Sequence, residues 1–115
     1  MDKVRVASTQ DSIVNWKPVP GVKAQHVAVS NVVATPGAMD PRTVFCIVNI
    51  QGGDIRTEFD GDDPVAGSHG CIMPAGTYMY WGVDMVRAMK FIRETSTNAV
   101  VWIQQCVKPV TGPAT

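Results

Sequence analysis

The chain has no surplus of charge of either sign: ten Lys and Arg balance ten Asp and Glu among 115 residues. It therefore lacks the basic stripe that a phosphate backbone selects, and nucleic acid is not expected as a direct partner. No apolar run approaches the roughly 20 residues of a membrane-spanning helix, so no membrane partner is expected either. The opening Met1-Asp2-Lys3-Val4-Arg5-Val6 lacks the apolar core of a signal peptide. Synthesis in a cytoplasm is the expectation. Cysteine is sparse, with Cys46, Cys71 and Cys106 forming an odd set without C-x-x-C spacing. They read as reduced thiols that serve mostly as small buried hydrophobes, with a disulfide as the minor alternative. Histidine is scarcer still, only His26 and His69. No zinc set of the usual spacing can be built from these, and a site of Cys46, His69 and Cys71 is the one combination left open. No catalytic, cofactor-binding or metal-ligating residue is therefore assigned.

What is present suits one packed domain. An apolar share of 45% is ordinary for a folded chain and enough for a single core. A neutral surface protects poorly against self-association, a liability for a free monomer and harmless in a subunit of an assembly.

Three stretches follow from the punctuation. Residues 1–22 hold Ser8-Thr9-Gln10-Asp11-Ser12 and Pro18-Val19-Pro20-Gly21, which predicts an extended arm, with residues 3–7 as an edge strand. Residues 23–108 form the domain, and 109–115 a loose tail. Within the domain, residues 24–33 are rich in β-branched side chains and suggest one or two strands. Residues 43–50 are apolar at nearly every position, as in a central strand covered on both sides. Gln51-Gly52-Gly53-Asp54 reads as a hairpin turn, with residues 55–59 returning antiparallel. Further strands are expected at 77–81, 89–93 and 100–107. Residues 82–88 read as one short helical turn beginning near Asp84, the rival being an amphipathic helix over 83–94. The fold class is all-β: a small antiparallel sandwich, jelly-roll-like, with at most one short helix.

Several residues invite a chemical reading. Ser68-His69-Gly70-Cys71 resembles the local signature of L,D-transpeptidases, in which the cysteine is the nucleophile. A thiol nucleophile needs a base and oxyanion donors. That family also places a histidine some fifteen residues upstream and an arginine two residues after the cysteine; here no histidine lies between His26 and His69, and the latter position is Met73. The tetrapeptide is better read as a loop entering a strand, with Cys71 and Ile72 packed inward. Asp60, Asp62 and Asp63 could hold calcium, but the twelfth position of such a loop is Cys71, so a solvated turn is preferred. His26 is expected half-buried and bonded to a neighbour. Among Trp16, Trp81, Trp102, Tyr78 and Tyr80 at least one exposed aromatic is expected, a natural anchor for an interface.

The run Ile55-Arg56-Thr57-Glu58-Phe59-Asp60-Gly61-Asp62-Asp63-Pro64, the apolar pair before Pro74-Ala75-Gly76, Ala88-Met89-Lys90-Phe91-Ile92-Arg93, and a final hairpin at Thr95-Ser96-Thr97-Asn98-Ala99-Val100 carry a further resemblance. Over about the last two thirds, the chain resembles small tailed-phage virion structural proteins, the jelly-roll-like capsid decoration (cement) family. The resemblance implies a non-enzymatic subunit without cofactors, made in the host cytoplasm and located on the capsid surface of the virion. Its partners would be the major capsid protein and further copies of itself, as dimer or trimer. A tail, head–tail joining or fibre-base role is the alternative.

Overall fold

Cys46, Val48 and Ile50 are fully buried while Phe45, Ile47 and Asn49 between them are half-buried. This period-2 pattern is that of a strand with one face on a core, and not of the strand covered on both sides that its apolar run suggests. The computed structural model describes residues 17–107. In chain order its strands are β1 (Lys17–Pro18), β2 (Gln25–Val29), β3 (Phe45–Gln51), β4 (Ile55–Glu58), β5 (Cys71–Met73), β6 (Tyr78–Gly82), β7 (Lys90–Arg93) and β8 (Ala99–Val107). One short helix, α1 (Val83–Arg87), lies between β6 and β7.

The strands form two antiparallel sheets. In the first, β3 lies between β8 and β6, and β8 carries β1 and β2 along its other edge. In the second, β4 lies between β5 and β7. Residues 30–34 extend that sheet beyond β7: Ala34 and Phe91 exchange two backbone hydrogen bonds of 2.8 Å, and Arg93 N–H donates to Ser30 O at 2.9 Å. Taking β1 and β2 as one interrupted edge strand and 30–34 as its successor, the chain crosses between the sheets at every connection but one, that from β4 to β5 within the second sheet, as in a double Greek key. The fold is all-β and jelly-roll-like, as the alternation predicts.

Both sheets contribute to one core. Val29, Val48, Ile50, Val101 and Ile103 come from the first, Ile55, Met73 and Phe91 from the second, and Val86 and Met89 from α1 and its exit. Fully burying a side chain of this size contributes roughly 1.5–3 kcal/mol. The helix is a single turn: after Ala88 the chain returns to strand, because Phe91 must point inward between Thr57 and Ala34. The longer helix over 83–94 does not form.

Two connections differ from expectation. Gln51-Gly52-Gly53-Asp54 is not a hairpin between paired strands. It carries the chain from β3 in the first sheet to β4 in the second. Likewise residues 94–98 pass from β7 to β8 across the sheets, and no hairpin forms there. The two corners touch, which is why glycine is needed: Gly52 has φ +88°, and a Cβ on Gly53 would lie 2.9 Å from the Thr97 carbonyl oxygen. Period-2 alternation specifies a strand, but not the neighbour it pairs with.

The first sheet also reaches back before residue 23. Lys17 and Pro18 pair with Val107 and Cys106, and Val19 is buried with its N–H donating to Gln105 O at 2.9 Å. The remainder of the expected arm, with the strand at 3–7 and Trp16, lies outside the described residues, as does the tail 109–115.

Candidate interaction face

Strand alternation in the first sheet sets Phe45, Ile47 and Asn49 of β3, Tyr78 and Tyr80 of β6, and Trp102 of β8 on the side away from the core. The register aligns them in rows. Ile47 stands between Tyr80 and Gln104; Asn49 stands between Tyr78 and Trp102, and His26 follows Trp102. The rings make contact: His26 on Trp102 with centroids 3.7 Å apart, Tyr78 edge-on to Tyr80 at 5.9 Å, and Phe45 against Tyr80 at 6.0 Å. Tyr78, Tyr80 and Trp102 nevertheless remain 58%, 49% and 37% exposed. Large aromatics left this open on a sheet face make it the candidate contact surface of the described residues.

No Asp, Glu, Lys or Arg occurs in β2, β3, β6 or β8, and the one charged residue in the strands of this sheet is Lys17, on the short edge strand β1. The amides of the face are partly spent within the chain. Asn49 Nδ2 donates to Thr77 O at 3.0 Å, Gln51 Nε2 to Asn49 Oδ1 at 2.7 Å, and Gln104 Nε2 to Gln105 O at 3.2 Å. Water is therefore held weakly by this face, and removing it costs little.

The second sheet is the opposite case. Its outward side carries Arg56, Glu58 and Lys90, with Glu58 and Lys90 directly paired across strands. The loop 60–70 is tied down over these side chains. Arg56 makes a two-pronged ion pair with Glu94, 2.8 Å on each arm, and donates its third nitrogen to Gly70 O at 2.9 Å. Gly67 N–H donates to Glu94 Oε1 at 3.0 Å. The Arg56 hydrogen bonds, with help from Gly67 N–H, hold the Glu94 carboxyl down at about 2. Lys90 Nζ donates to Gly61 O at 2.8 Å and to Asp63 at 3.0 Å. One face is thus latched under its own loop and the other is open.

The tetrapeptide Ser68-His69-Gly70-Cys71 sits at the end of that loop. Val65 and His69 exchange backbone hydrogen bonds of 2.8 and 2.9 Å. His69 Nε2 lies 2.7 Å from Glu58 Oε2 and 3.8 Å from Asp62 Oδ2. Its imidazole is committed to carboxylates, while Cys71 Sγ is 3.9 Å from the Ile72 carbonyl oxygen. The expectation that Cys71 and Ile72 pack inward is overturned, for both are exposed. Strand β5 is three residues long and lies at an edge, so only Met73 reaches the core. Cys71 shares its face at the rim, and Ile72 points outward opposite Arg56.

Of the other candidates, Asp60, Asp62 and Asp63 stay exposed in a turn closed by Asp62 N–H donating to Asp60 Oδ1 at 3.0 Å. Among the described residues, no three His, Cys, Asp or Glu side chains are arranged to hold a metal ion. His26 is exposed and in contact with the Trp102 ring, not half-buried. Cys46 and Cys106 are buried, and burial pushes the Cys46 thiol up to about 12. The buried Gln105 accepts from Asp40 N–H at 2.7 Å and Thr43 Oγ1 at 2.8 Å, fixing the loop before β3. Trp81 packs against Phe59 with its Nε1 buried and unpaired. The open face was not singled out from the sequence, although its signal was there: four apolar strands without a single charge. Comparison with known proteins gives no matching family model, no matching curated protein and no matching solved structure.

Proposed function

We propose that this chain is a structural protein of a virion, a decoration (cement) protein that stabilises the head of a tailed bacteriophage by bridging capsid subunits. The observation that carries the reading is the asymmetry of the two sheets. A charge-free, aromatic-bearing face is left open, while the charged face is closed by the chain's own loop. Jelly-roll frameworks host many functions, so the proposal rests on the surface and not on the fold. A protein that works by adhesion needs a rigid frame and a face that desolvates cheaply. It stabilises a shell by burying area across subunit boundaries, typically about 800 Å² per partner. The partners are the major capsid protein and other copies of the chain, with synthesis in the host cytoplasm before attachment.

The test is made on particles. The protein should co-purify with complete virions and with tailless heads at fixed stoichiometry. Heads lacking it should assemble yet release DNA at lower temperature than decorated ones. Equal fragility of the two kinds of head defeats the proposal; presence on tails alone moves the chain to the joining or tail apparatus.

A further inference from the structure

Among the described residues, only one of the two outer sheet faces is left uncovered, and its chemistry narrows what can cover it. We infer that the open face is a self-association surface, through which two copies of this chain meet, first sheet to first sheet, across a two-fold axis. The inference rests on the reading above that the exterior carries the function, and it names one of the partners.

Charge matching comes first. A partner surface bearing ions would have to strip them of water and leave them unpaired, because the face offers no counter-charge. A copy of the same face is free of charge by construction, and a two-fold axis presents the same patch to both partners. The chain's formal net charge of zero adds no long-range repulsion. Packing one copy's open face on the other's latched face would set it against the exposed carboxylates of Asp62 and Asp63 on the covering loop, so like meets like.

Hydrogen bonding then decides between an apolar partner and a sugar. Open aromatics beside amides could form a platform for neutral polysaccharide, but such a platform needs rings lying flat and amides free to bind hydroxyls. Here Tyr78 and Tyr80 stand at 88° to one another, and Trp102 is already in contact with the His26 ring, tilted at 41°. The amides of Asn49, Gln51 and Gln104 are donating within the chain. Interdigitating aromatic edges suit a second protein surface better.

Size sets the strength. A path of four hydrogen-bonded neighbours at about 4.8 Å per strand, with about seven residues at 3.3 Å each, gives a patch of roughly 19 by 23 Å. Its flat footprint of about 440 Å², before side-chain relief is added, sits at the small end against the roughly 800 Å² of accessible surface per partner in a standard interface. The dimer is therefore weak and concentration-dependent, forming where copies are brought close together.

The full-length protein is followed by sedimentation equilibrium from about 1 μM to about 1 mM. The wild type should pass from monomer to dimer within that window. Tyr80→Glu, which puts a charge in the middle of the patch, should raise the dissociation constant at least about tenfold. Ile72→Glu, an exposed apolar site on the other sheet, should leave it unchanged. Tyr78→Arg, at a more exposed ring, repeats the test should Tyr80→Glu fail to fold. A wild type monomeric throughout overturns the inference, as does an equal loss in Ile72→Glu. So does binding of a soluble neutral glucan by the monomer that Tyr80→Glu abolishes. A chain that stays monomeric yet strengthens phage heads defeats this inference alone; one that dimerises but is missing from virions defeats only the virion reading.

Discussion

Replacing Gly70 by alanine separates a structural role for Ser68-His69-Gly70-Cys71 from a chemical one. Gly70 has φ +115°, and a Cβ there would lie 2.9 Å from Arg56 Cγ and 2.9 Å from the Thr57 carbonyl oxygen. The first contact can yield, since it is a long side chain. The second is backbone of β4, which yields only by disturbing its pairing with β5. The backbone conformation itself costs about 1–3 kcal/mol for a residue with a Cβ. Displacing β4 adds an overpacking cost of about 1–3 kcal/mol. A total of about 4 kcal/mol lowers the melting temperature of a domain this size by roughly 15–30 °C. Gly67→Ala is the control, because Gly67 has φ +78° but nothing within 4 Å of the added carbon. It should lose only about 1–2 kcal/mol. Cys71→Ala, at an exposed rim position, should fall within about 0.5 kcal/mol of wild type. Urea unfolding followed by tryptophan fluorescence measures all three. In a thiol enzyme the order of functional sensitivity is reversed, with Cys71 indispensable. Gly70→Ala and Gly67→Ala costing the same would refute the close-approach argument.

Three further outcomes follow from the same contacts. Folded protein treated with Ellman's reagent should release one equivalent of thiol quickly, from Cys71, and the rest only on unfolding, because Cys46 and Cys106 are buried and their thiols raised; three fast thiols would contradict the packing of β3 against β8. Glu94, whose pKa is lowered from 4.5 to about 2, contributes stability that is fully present above its unfolded value and lost as pH falls from about 4.5 towards 2. Glu94→Gln should therefore melt below wild type at neutral pH, with the gap closing over that interval; a pH-independent gap would remove Arg56–Glu94 as its cause. Trp81→Phe gives up an indole N–H that has no partner, so its calorimetric cost should stay at the low end for a core aromatic, about 1 kcal/mol or less. A loss above about 3 kcal/mol would mean that the N–H is bonded after all.

How far the sequence discloses this molecule depends on what each residue interacts with. The strands at 45–51 and 99–107 are legible as apolar, β-branched runs, though the run at 45–51 suggests cover on both sides where only one face is buried, and the single helical turn is legible from Asp84 near its start. Partnership is not legible in the same way. Gly52-Gly53 looks like a hairpin because tight turns and sheet-to-sheet corners both need glycine, and only the approach of Thr97 tells them apart. Cys71 and Ile72 look like core because they are apolar, yet β5 is too short to carry more than Met73 inward. The open face was hidden for a related reason. Its members lie on four strands far apart in the chain, and each aromatic alone looks like core. What they have in common is the charge that is missing around them, seen only once the register joins Tyr78, Asn49, Trp102 and His26 in a row.

The position of β8 has a consequence for how the molecule is made. The last described strand to leave the ribosome lies between β2 and β3, two of the earliest. Until Ala99–Val107 emerges, the most apolar segment of the chain waits with a bare edge, prone to pair with a neighbour's nascent strand. Closure of the first sheet is therefore a late, all-or-none event. A polypeptide ending before residue 99 would present itself to proteases and to aggregation, never to a partner.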